Sequence, residues 1–307
     1  MILIGLGNAG KNIVKLFKPH SSNYKIILLD AGEGLEERDT VEEYDEYPIV
    51  FKQRGLKKHS EAALFVCGSG KVAGASLRVL EALQGYKTTV FYIVPDLEFS
   101  SEIDKKRHRA HFGVLQEYAR SGKIDEMLIL SNKNLLAIAG HGTAMNYYEK
   151  VNFFIYSTIQ DIMFCTHTNP EFGKIKNKKK ISRISTIGIG TFDSDEEKIL
   201  YPLENITETM FMMNIEEEDL NNDESVIPNC QQFVRNAMQD NREASFAIWL
   251  SSESSHYLEA EATLLVKFAL STDYTMEEMN YICEKIFEMS DLILRLRKTL
   301  KDMRNDK

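Results

Sequence analysis

The feature that most constrains the fold is an apolar run that leads directly into closely spaced glycines. Residues Ala63–Cys67 are continuously apolar, which is typical of a strand buried on both faces of a parallel sheet. Gly68, Gly70 and Gly74 follow, and leucines at helical spacing come next. Such a turn lets backbone N–H groups and a helix N-terminus approach an anion closely. It also fits an ordinary strand–turn–helix connection, so both interpretations stay open at this point.

The N-terminus repeats this arrangement. Residues 1–4 predict a short strand, and Gly5, Gly7 and Gly10 then complete the pattern G-x-G-x-x-G before a helix. Asp30 ends the next predicted strand, about twenty residues after the glycines, where dinucleotide-binding proteins place the acid that binds the ribose hydroxyls. A Rossmann-like NAD-binding protein is therefore the alternative interpretation.

Strands alternate with helices through the first half of the chain. This predicts an α/β fold, with a doubly wound parallel sheet of the nucleotide-binding type over 1–144. A central helix over 145–166 is apolar on more than one face, so we expect it to lie between two layers. A smaller mixed α+β second domain follows over 167–274. The supporting elements are expected at Lys25–Leu29, Thr88–Val94, Ser101–Ser121, Met127–Leu130, Ser185–Gly190, Lys198–Pro202, Glu208–Ile215, Pro228–Gln239, Ala244–Leu250 and Glu259–Leu270.

The last segment, 275–307, predicts a long amphipathic C-terminal helix. Thr275 and Glu278 form a capping box, and apolar residues then recur at alternating spacings of three and four. A helix of about thirty residues spans about 45 Å, which exceeds the need of a small domain. It either packs along its own domain or docks on a neighbouring subunit.

Composition narrows the function classes. The net charge of −9 argues against a general nucleic-acid binder. The four cysteines lack metal-ligand spacing and predict reduced thiols, and the histidines form no catalytic triad or metal cluster. No apolar run is long enough to span a membrane, and the chain starts without a signal peptide. We therefore expect a cytoplasmic protein with no metal cluster and no membrane partner.

Taken in order, these segments resemble the tubulin/FtsZ superfamily over nearly the full chain, and most of all its phage and plasmid members. IGLGNAGKN resembles the family's first nucleotide loop, and VCGSGKVAGAS resembles its glycine signature GGGTGTG. FSSEIDKKRHRAHFGVLQEY resembles the ribose-binding segment, with the family's Arg falling near Lys106 or Arg107. LILSNKNLL, MFMMNIEEED, FAIWLSSES and EAEATLLVKFAL follow the family's order of later elements.

The resemblance implies a site for GTP or GDP, with Mg²⁺ as its companion ion. It also implies head-to-tail self-assembly, in which the loop after one subunit's central helix completes the GTPase site of the next subunit. The positions that match the family are Gly5, Gly7, Gly10 and Asn12 in the first loop, Gly68, Gly70, Lys71 and Gly74 in the second, Glu102 at the ribose, Asn132 after the following strand, Asn152 at the guanine, and Glu171 as a catalytic acid in the interface loop.

Several of the matching segments depart from the family pattern. In the glycine signature, Lys71 replaces a threonine, Val72 replaces a glycine, and Ser69 interrupts the first glycine pair. Phe153 replaces the aspartate after Asn152, and Lys174 replaces the second acid of the interface loop. A protonated lysine does not polarise attacking water. We therefore expect an eroded guanine-nucleotide site that binds weakly or not at all, with weak or no hydrolysis.

Two further interpretations keep the fold but not the nucleotide. The acidic segment 31–49 and the basic segment 174–183 are expected at opposite ends, so neighbouring subunits could attract each other without phosphate. A non-polymerising tubulin-like interaction protein is the other alternative.

Overall fold

Apolar runs of this chain become strands, and amphipathic stretches become helices. The computed structural model describes residues 1–20, 24–32, 34–35, 60–139, 147–175, 183–190, 198–204, 206–237, 243–250 and 264–270. The strands are β1 (Ile2–Leu6), β2 (Lys25–Ala31), β3 (Gly34–Leu35), β4 (Glu61–Cys67), β5 (Lys87–Val94), β6 (Glu126–Ser131), β7 (Phe172–Gly173), β8 (Ile184–Gly190), β9 (Lys198–Ile199), β10 (Ile206–Ile215), β11 (Glu243–Leu250) and β12 (Leu264–Leu270). The helices are α1 (Gly7–Leu16), α2 (Ser76–Ala82), α3 (Glu102–Arg120), α4 (Asn132–Ala139), α5 (Tyr147–His167), α6 (Glu217–Asn222) and α7 (Val226–Ala237).

The strands form one continuous sheet in the order β3-β2-β1-β4-β5-β6-β8-β12-β10-β11-β7, and β9 pairs with β8. Every pairing from β3 to β6 is parallel. Beyond β8 the pairing is mixed, because β12 runs antiparallel to both of its neighbours while β10 and β11 are parallel. The two halves join where Met127 and Leu128 of β6 pair with Ile184 and Ser185 of β8. The structure therefore has the expected α/β architecture, with a mainly parallel first half and a smaller mixed second half.

Helices cover both faces of the parallel half. Ile2 and Ile4 of β1 pack on one face in a cluster that includes residues of α2 and α3. Leu3 points to the other face and joins a cluster with residues of α1 and α5. Burial on both faces explains why these strands read as continuous apolar runs rather than alternating ones.

Helix α5 packs across both halves of the sheet. Val151, Ile155 and Ile159 belong to the same buried cluster as Phe65 of β4 and Met212 of β10. With 21 residues, α5 is about 31 Å long. Its expected span of 145–166 agrees with the observed helix to within two residues. The expected domain boundaries at 144, 166 and 274 stay predictions.

Two expectations about individual elements are wrong, and one helix was not predicted. Asn132–Ala139 form helix α4, although the polar run after β6 was interpreted as a loop. Glu217–Asn222 form a helix that the apolar pattern did not reveal. The strand expected at Lys198–Pro202 is limited to Lys198–Ile199. In the last predicted strand, Leu264–Leu270 are described and form β12, while the predicted start at Glu259 lies outside the described residues. The C-terminal helix over 275–307 lies outside the described residues.

Asp161 is a buried carboxyl group on α5. In the described part of the chain, neither of its side-chain oxygens has a hydrogen-bond partner. Burial disfavours the charged carboxylate and raises the pKa of Asp161 from 3.8 to about 8. The folded protein therefore holds this proton more tightly than the unfolded chain does, and its contribution to stability is lost as the pH rises from about 4 to about 8.

We expect Asp161→Asn to stabilise the protein increasingly over this pH range, because the amide cannot ionise. At about 1.4 kcal/mol per pKa unit, the gain in the free energy of unfolding is near zero at pH 4 and on the order of 5 kcal/mol at pH 8. Urea unfolding at pH 4, 6 and 8 measures it. Glu149→Gln, an exposed change in the first turn of α5, is the control and should give no such trend. A gain for Asp161→Asn that does not change with pH would contradict this explanation.

Candidate functional site

The first glycine-rich turn connects β1 to α1 at the carboxyl edge of the parallel strands. Gly7 has a positive φ of 70°, a conformation that L side chains rarely adopt. A Cβ at Gly10 would lie 2.2 Å from the backbone oxygen of Phe65, and one at Gly5 would lie 2.6 Å from the backbone oxygen of Gly10. The glycines therefore let α1 approach β4 closely, and the N-terminus of α1 lies at this edge.

Polar side chains of α1 are already engaged within the chain. Lys11 Nζ lies 2.8 Å from Asp30 Oδ2, and both side chains are mostly buried. The other oxygen of Asp30 accepts a hydrogen bond from the backbone N–H of Ala31. Asn12 donates to Asn8 through a 3.3 Å hydrogen bond. The carboxylate that the NAD interpretation would use for ribose thus forms an ion pair with Lys11.

The second glycine-rich loop runs from the end of β4 to the start of α2. It consists of consecutive turns, in which Gly70 donates to Cys67, Ala73 to Gly70 and Ala75 to Val72, each through the backbone. A short 3₁₀ helix at Ala73–Ala75 precedes α2, so α2 starts two residues after Gly74. Lys71 is exposed on this loop. A cation beside a glycine-rich backbone turn suits an anionic ligand.

A buried polar cluster lies beneath the second loop. The hydroxyl of Tyr92 is hydrogen-bonded to Nδ1 of His108 at 2.9 Å, and Ser76 Oγ is hydrogen-bonded to Nε2 of His111. Burial lowers the pKa of His111 to about 4, and it also lowers the pKa of His108. His111 is therefore neutral at pH 7. Sequence analysis did not single out the two histidines, although the spacing of His108, His111 and Leu115 on α3 is typical of a buried helical stripe.

Other predicted site residues lie at the same edge. Glu102 is the first residue of α3, is exposed, and pairs with Lys105 at 2.8 Å. That hydrogen bond and the charge of Lys105 lower the pKa of Glu102. Asn132 is the first residue of α4, directly after β6. Lys133 beside it pairs with Glu98, which ties α4 to the segment between β5 and α3.

Asn152 lies in the second turn of α5. Tyr148, which sequence analysis missed, lies four residues earlier and therefore one turn away on the same side of the helix. Its side chain is 67% exposed. Phe153 is also exposed in part and packs against Tyr156. The i, i+4 spacing of Tyr148 and Asn152 was the available signal.

Glu171 lies just beyond the C-terminal end of α5. Helix α5 ends at His167, whose Nε2 lies 3.0 Å from Glu61 at the start of β4. Beyond this end, the backbone N–H groups of Glu171 and Lys174 donate to residues of β11, and both side chains are exposed. Because α5 is about 31 Å long, one chain does not bring Glu171 to its own glycine-rich loops.

Within the described ranges, no cluster of three or more His, Cys, Asp or Glu side chains could hold a metal ion. None of the helices described is both long enough and apolar enough to cross a membrane.

Comparison with known proteins gives structural matches but no sequence matches. No protein-family model matches the chain, and no curated protein matches it significantly. An FtsZ dimer from M. jannaschii matches with a TM-score of 0.62 and 12% identity over 87% of each chain. GDP-form protofilaments of Bacillus thuringiensis serovar israelensis TubZ match with a TM-score of 0.62 and 14% identity, covering 96% of this chain and 94% of that one. A four-stranded TubZ-Bt filament matches with a TM-score of 0.65 and 10% identity over 100% of this chain and 94% of that one. The chain has the tubulin/FtsZ fold.

In this tubulin/FtsZ-like chain, the carboxyl edge of the parallel strands gathers the two glycine-rich loops and the first residues of α3 and α4. The N-terminal turns of α5 lie towards that edge, and Glu171 follows the other end of α5. The roles assigned to these residues by the sequence resemblance stay predictions.

We expect Gly10→Ala to destabilise the protein by at least about 2–3 kcal/mol, because the added methyl group would meet the rigid backbone of β4. Gly113→Ala is the matched control, since Gly113 lies inside α3 and a Cβ there meets no atom within 4 Å. This control should stabilise the protein by about 0.5–1 kcal/mol through helix propensity. Urea unfolding measures both changes, and equal effects would contradict the close approach of α1 to β4.

Proposed function

We propose that the chain is a subunit of a head-to-tail filament and binds a guanine nucleotide at the carboxyl edge of its parallel strands. The observation that carries this proposal is the separation of Glu171 from the glycine-rich loops by the length of α5. A site that needs both parts forms only when the region around Glu171 of one subunit meets the glycine-rich loops of another. Solved structures of the same fold include TubZ protofilaments and a four-stranded filament, which supports this arrangement.

The described residues fit the phosphates of a nucleotide better than they fit NAD. Two glycine-rich turns lie on adjacent strands, because β1 pairs with β4. Lys71 is exposed beside the second turn. Asp30, which NAD binding would use, is paired with Lys11. Tyr148 and Asn152 offer an aromatic face and an amide one helical turn apart, which suits a purine base.

The region around Glu171 is better suited to contact between subunits than to catalysis of GTP hydrolysis. Glu171 supplies one exposed carboxylate, but Lys174 stands where the resemblance expects a second acid. A bound Mg²⁺ would supply charge neutralisation at the phosphates; this chain's contribution there is the cation of Lys71. We therefore propose slow or absent GTP hydrolysis, with assembly as the main activity. Docking of segment 275–307 on a neighbouring subunit stays a prediction, because that segment lies outside the described residues.

Electron microscopy of the purified protein with GTP, with GDP and without nucleotide tests this function. We expect filaments with GTP, and we expect GTP but not NAD to raise the thermal unfolding midpoint. Lys71→Ala should weaken GTP binding by about tenfold or more, since it removes a charge-assisted contact to phosphate. Lys123→Ala, an exposed change between α3 and β6, is the control.

Each alternative outcome has a distinct meaning. Filaments that form equally without nucleotide, and weaken with salt, would identify a charge-driven polymer that does not use the nucleotide. Protection by NAD alone would restore the Rossmann-like interpretation. The absence of filaments under all conditions would overturn head-to-tail assembly and favour an interaction protein.

Glu171→Arg tests which end of the subunit makes the contact. A subunit altered at one edge keeps the other edge intact, so it should add to a wild-type filament and then block further growth. We expect shorter filaments when roughly one variant subunit is mixed with ten wild-type subunits, because charge reversal in an interface costs several kcal/mol. Glu81→Arg, on the exposed side of α2, is the control. Filament length by electron microscopy gives the result, and equal shortening by both variants would contradict an end contact through Glu171.

A further inference from the structure

The second glycine-rich loop is fixed at both ends by residues that belong to other elements. At its start, the backbone N–H of Gly68 donates to the carbonyl of Ile93 on β5 at 3.0 Å. A Cβ at Gly68 would lie 2.0 Å from the hydroxyl oxygen of Tyr92 and 2.7 Å from Nδ1 of His108. The loop backbone therefore rests directly on the Tyr92–His108 pair, and only glycine fits there.

At its other end, the loop is fixed by Ser76, the first residue of α2. Its hydroxyl is hydrogen-bonded to His111, which lies one turn after His108 on α3. The ring of Tyr92 contacts both imidazoles, with centroid distances of 5.9 Å to His108 and 5.6 Å to His111. One end of the loop thus lies against His108 and the other is hydrogen-bonded to His111, and the ring of Tyr92 contacts both imidazoles.

Burial excludes direct contact between this cluster and a ligand. Ser76 and Tyr92 are fully buried, and His108 and His111 are nearly so. A serine–histidine pair inaccessible to substrate is not a nucleophilic dyad. These side chains touch the loop instead, and the hydrogen bonds of Tyr92 to His108 and of Ser76 to His111 favour one conformation of the backbone above them.

We propose that Tyr92, His108 and His111 are positioning residues, which act through Gly68 and Ser76 to hold the glycine-rich loop in the conformation that binds nucleotide phosphates. The binding part of this inference rests on the proposed function, whereas the effect on loop conformation does not. Residues outside the loop sequence would then decide how well an altered glycine signature still works.

Hydrogen–deuterium exchange of the full-length, nucleotide-free protein tests the effect on the loop. Tyr92→Phe removes one hydroxyl from the first anchor, and Ser76→Ala removes one from the second. We expect amides of 67–76 to exchange about three- to tenfold faster in either variant, as the loss of a buried hydrogen bond implies. Amides of β10 and β11 should be unchanged. Tyr86→Phe is the matched control, because Tyr86 packs against the same core cluster outside this network.

A second measurement compares the affinities for GTP and for guanosine. A residue that only stabilises the fold would not change one affinity and leave the other unchanged. Competition with a fluorescent guanine nucleotide analogue measures the affinities of GTP and guanosine. Tyr92→Phe should weaken the binding of GTP by about three- to tenfold and leave the binding of guanosine unchanged, since only GTP carries phosphates. Equal weakening of both ligands, or loop exchange that matches the control, would overturn the inference. If wild-type protein binds no GTP, the proposed function fails, while the exchange comparison still decides whether the cluster positions the loop.

Discussion

The packing of α5 across the sheet is the constraint on which the rest of the structure depends. Its buried side chains share one cluster with residues of β1, β4, β6, β8, β10 and β11, so the parallel half and the mixed half have a common core. Among the described residues, β6 and β8 pair directly at two positions. Burial of this one helix therefore stabilises both halves and also fixes how far Glu171 lies from the glycine-rich loops. The same packing leaves Asp161 buried on α5, which raises the pKa of its carboxyl group.

The glycine-rich loops are held by different means. In the first, Gly5 and Gly10 remove side chains so that α1 can pack against backbone atoms of β4. In the second, the hydrogen-bonded pair of Tyr92 and His108 lies below Gly68, and the hydroxyl of Ser76 is hydrogen-bonded to His111. We expect a loop supported in this way to tolerate substitutions on its exposed side, because buried contacts hold its backbone. On this proposal, Lys71 alters the surface charge of the loop more than its backbone conformation.

Local sequence was sufficient for much of the fold. The boundaries of β4, β5, β6, β8, β10 and β11 agree with the apolar runs to within two residues, because continuous burial leaves a direct signal in residue type. Helix α4 was missed because Ser131, Asn132 and Asn134 are typical both of loops and of helix starts. Helix α6 was missed because it has six residues, none of them buried, and so carries no apolar stripe.

The sequence by itself determined the alternation of strands and helices, the two glycine-rich turns and the candidate residues around them, since these depend on local conformational preference and burial. Only the tertiary structure decided which residues meet. Asp30 pairs with Lys11, Tyr92 supports Gly68 together with His108, and Glu171 lies a helix length away from the loops. Such contacts join residues far apart in the chain, and they follow from how packed elements orient their side chains. No local pattern of residues records that orientation.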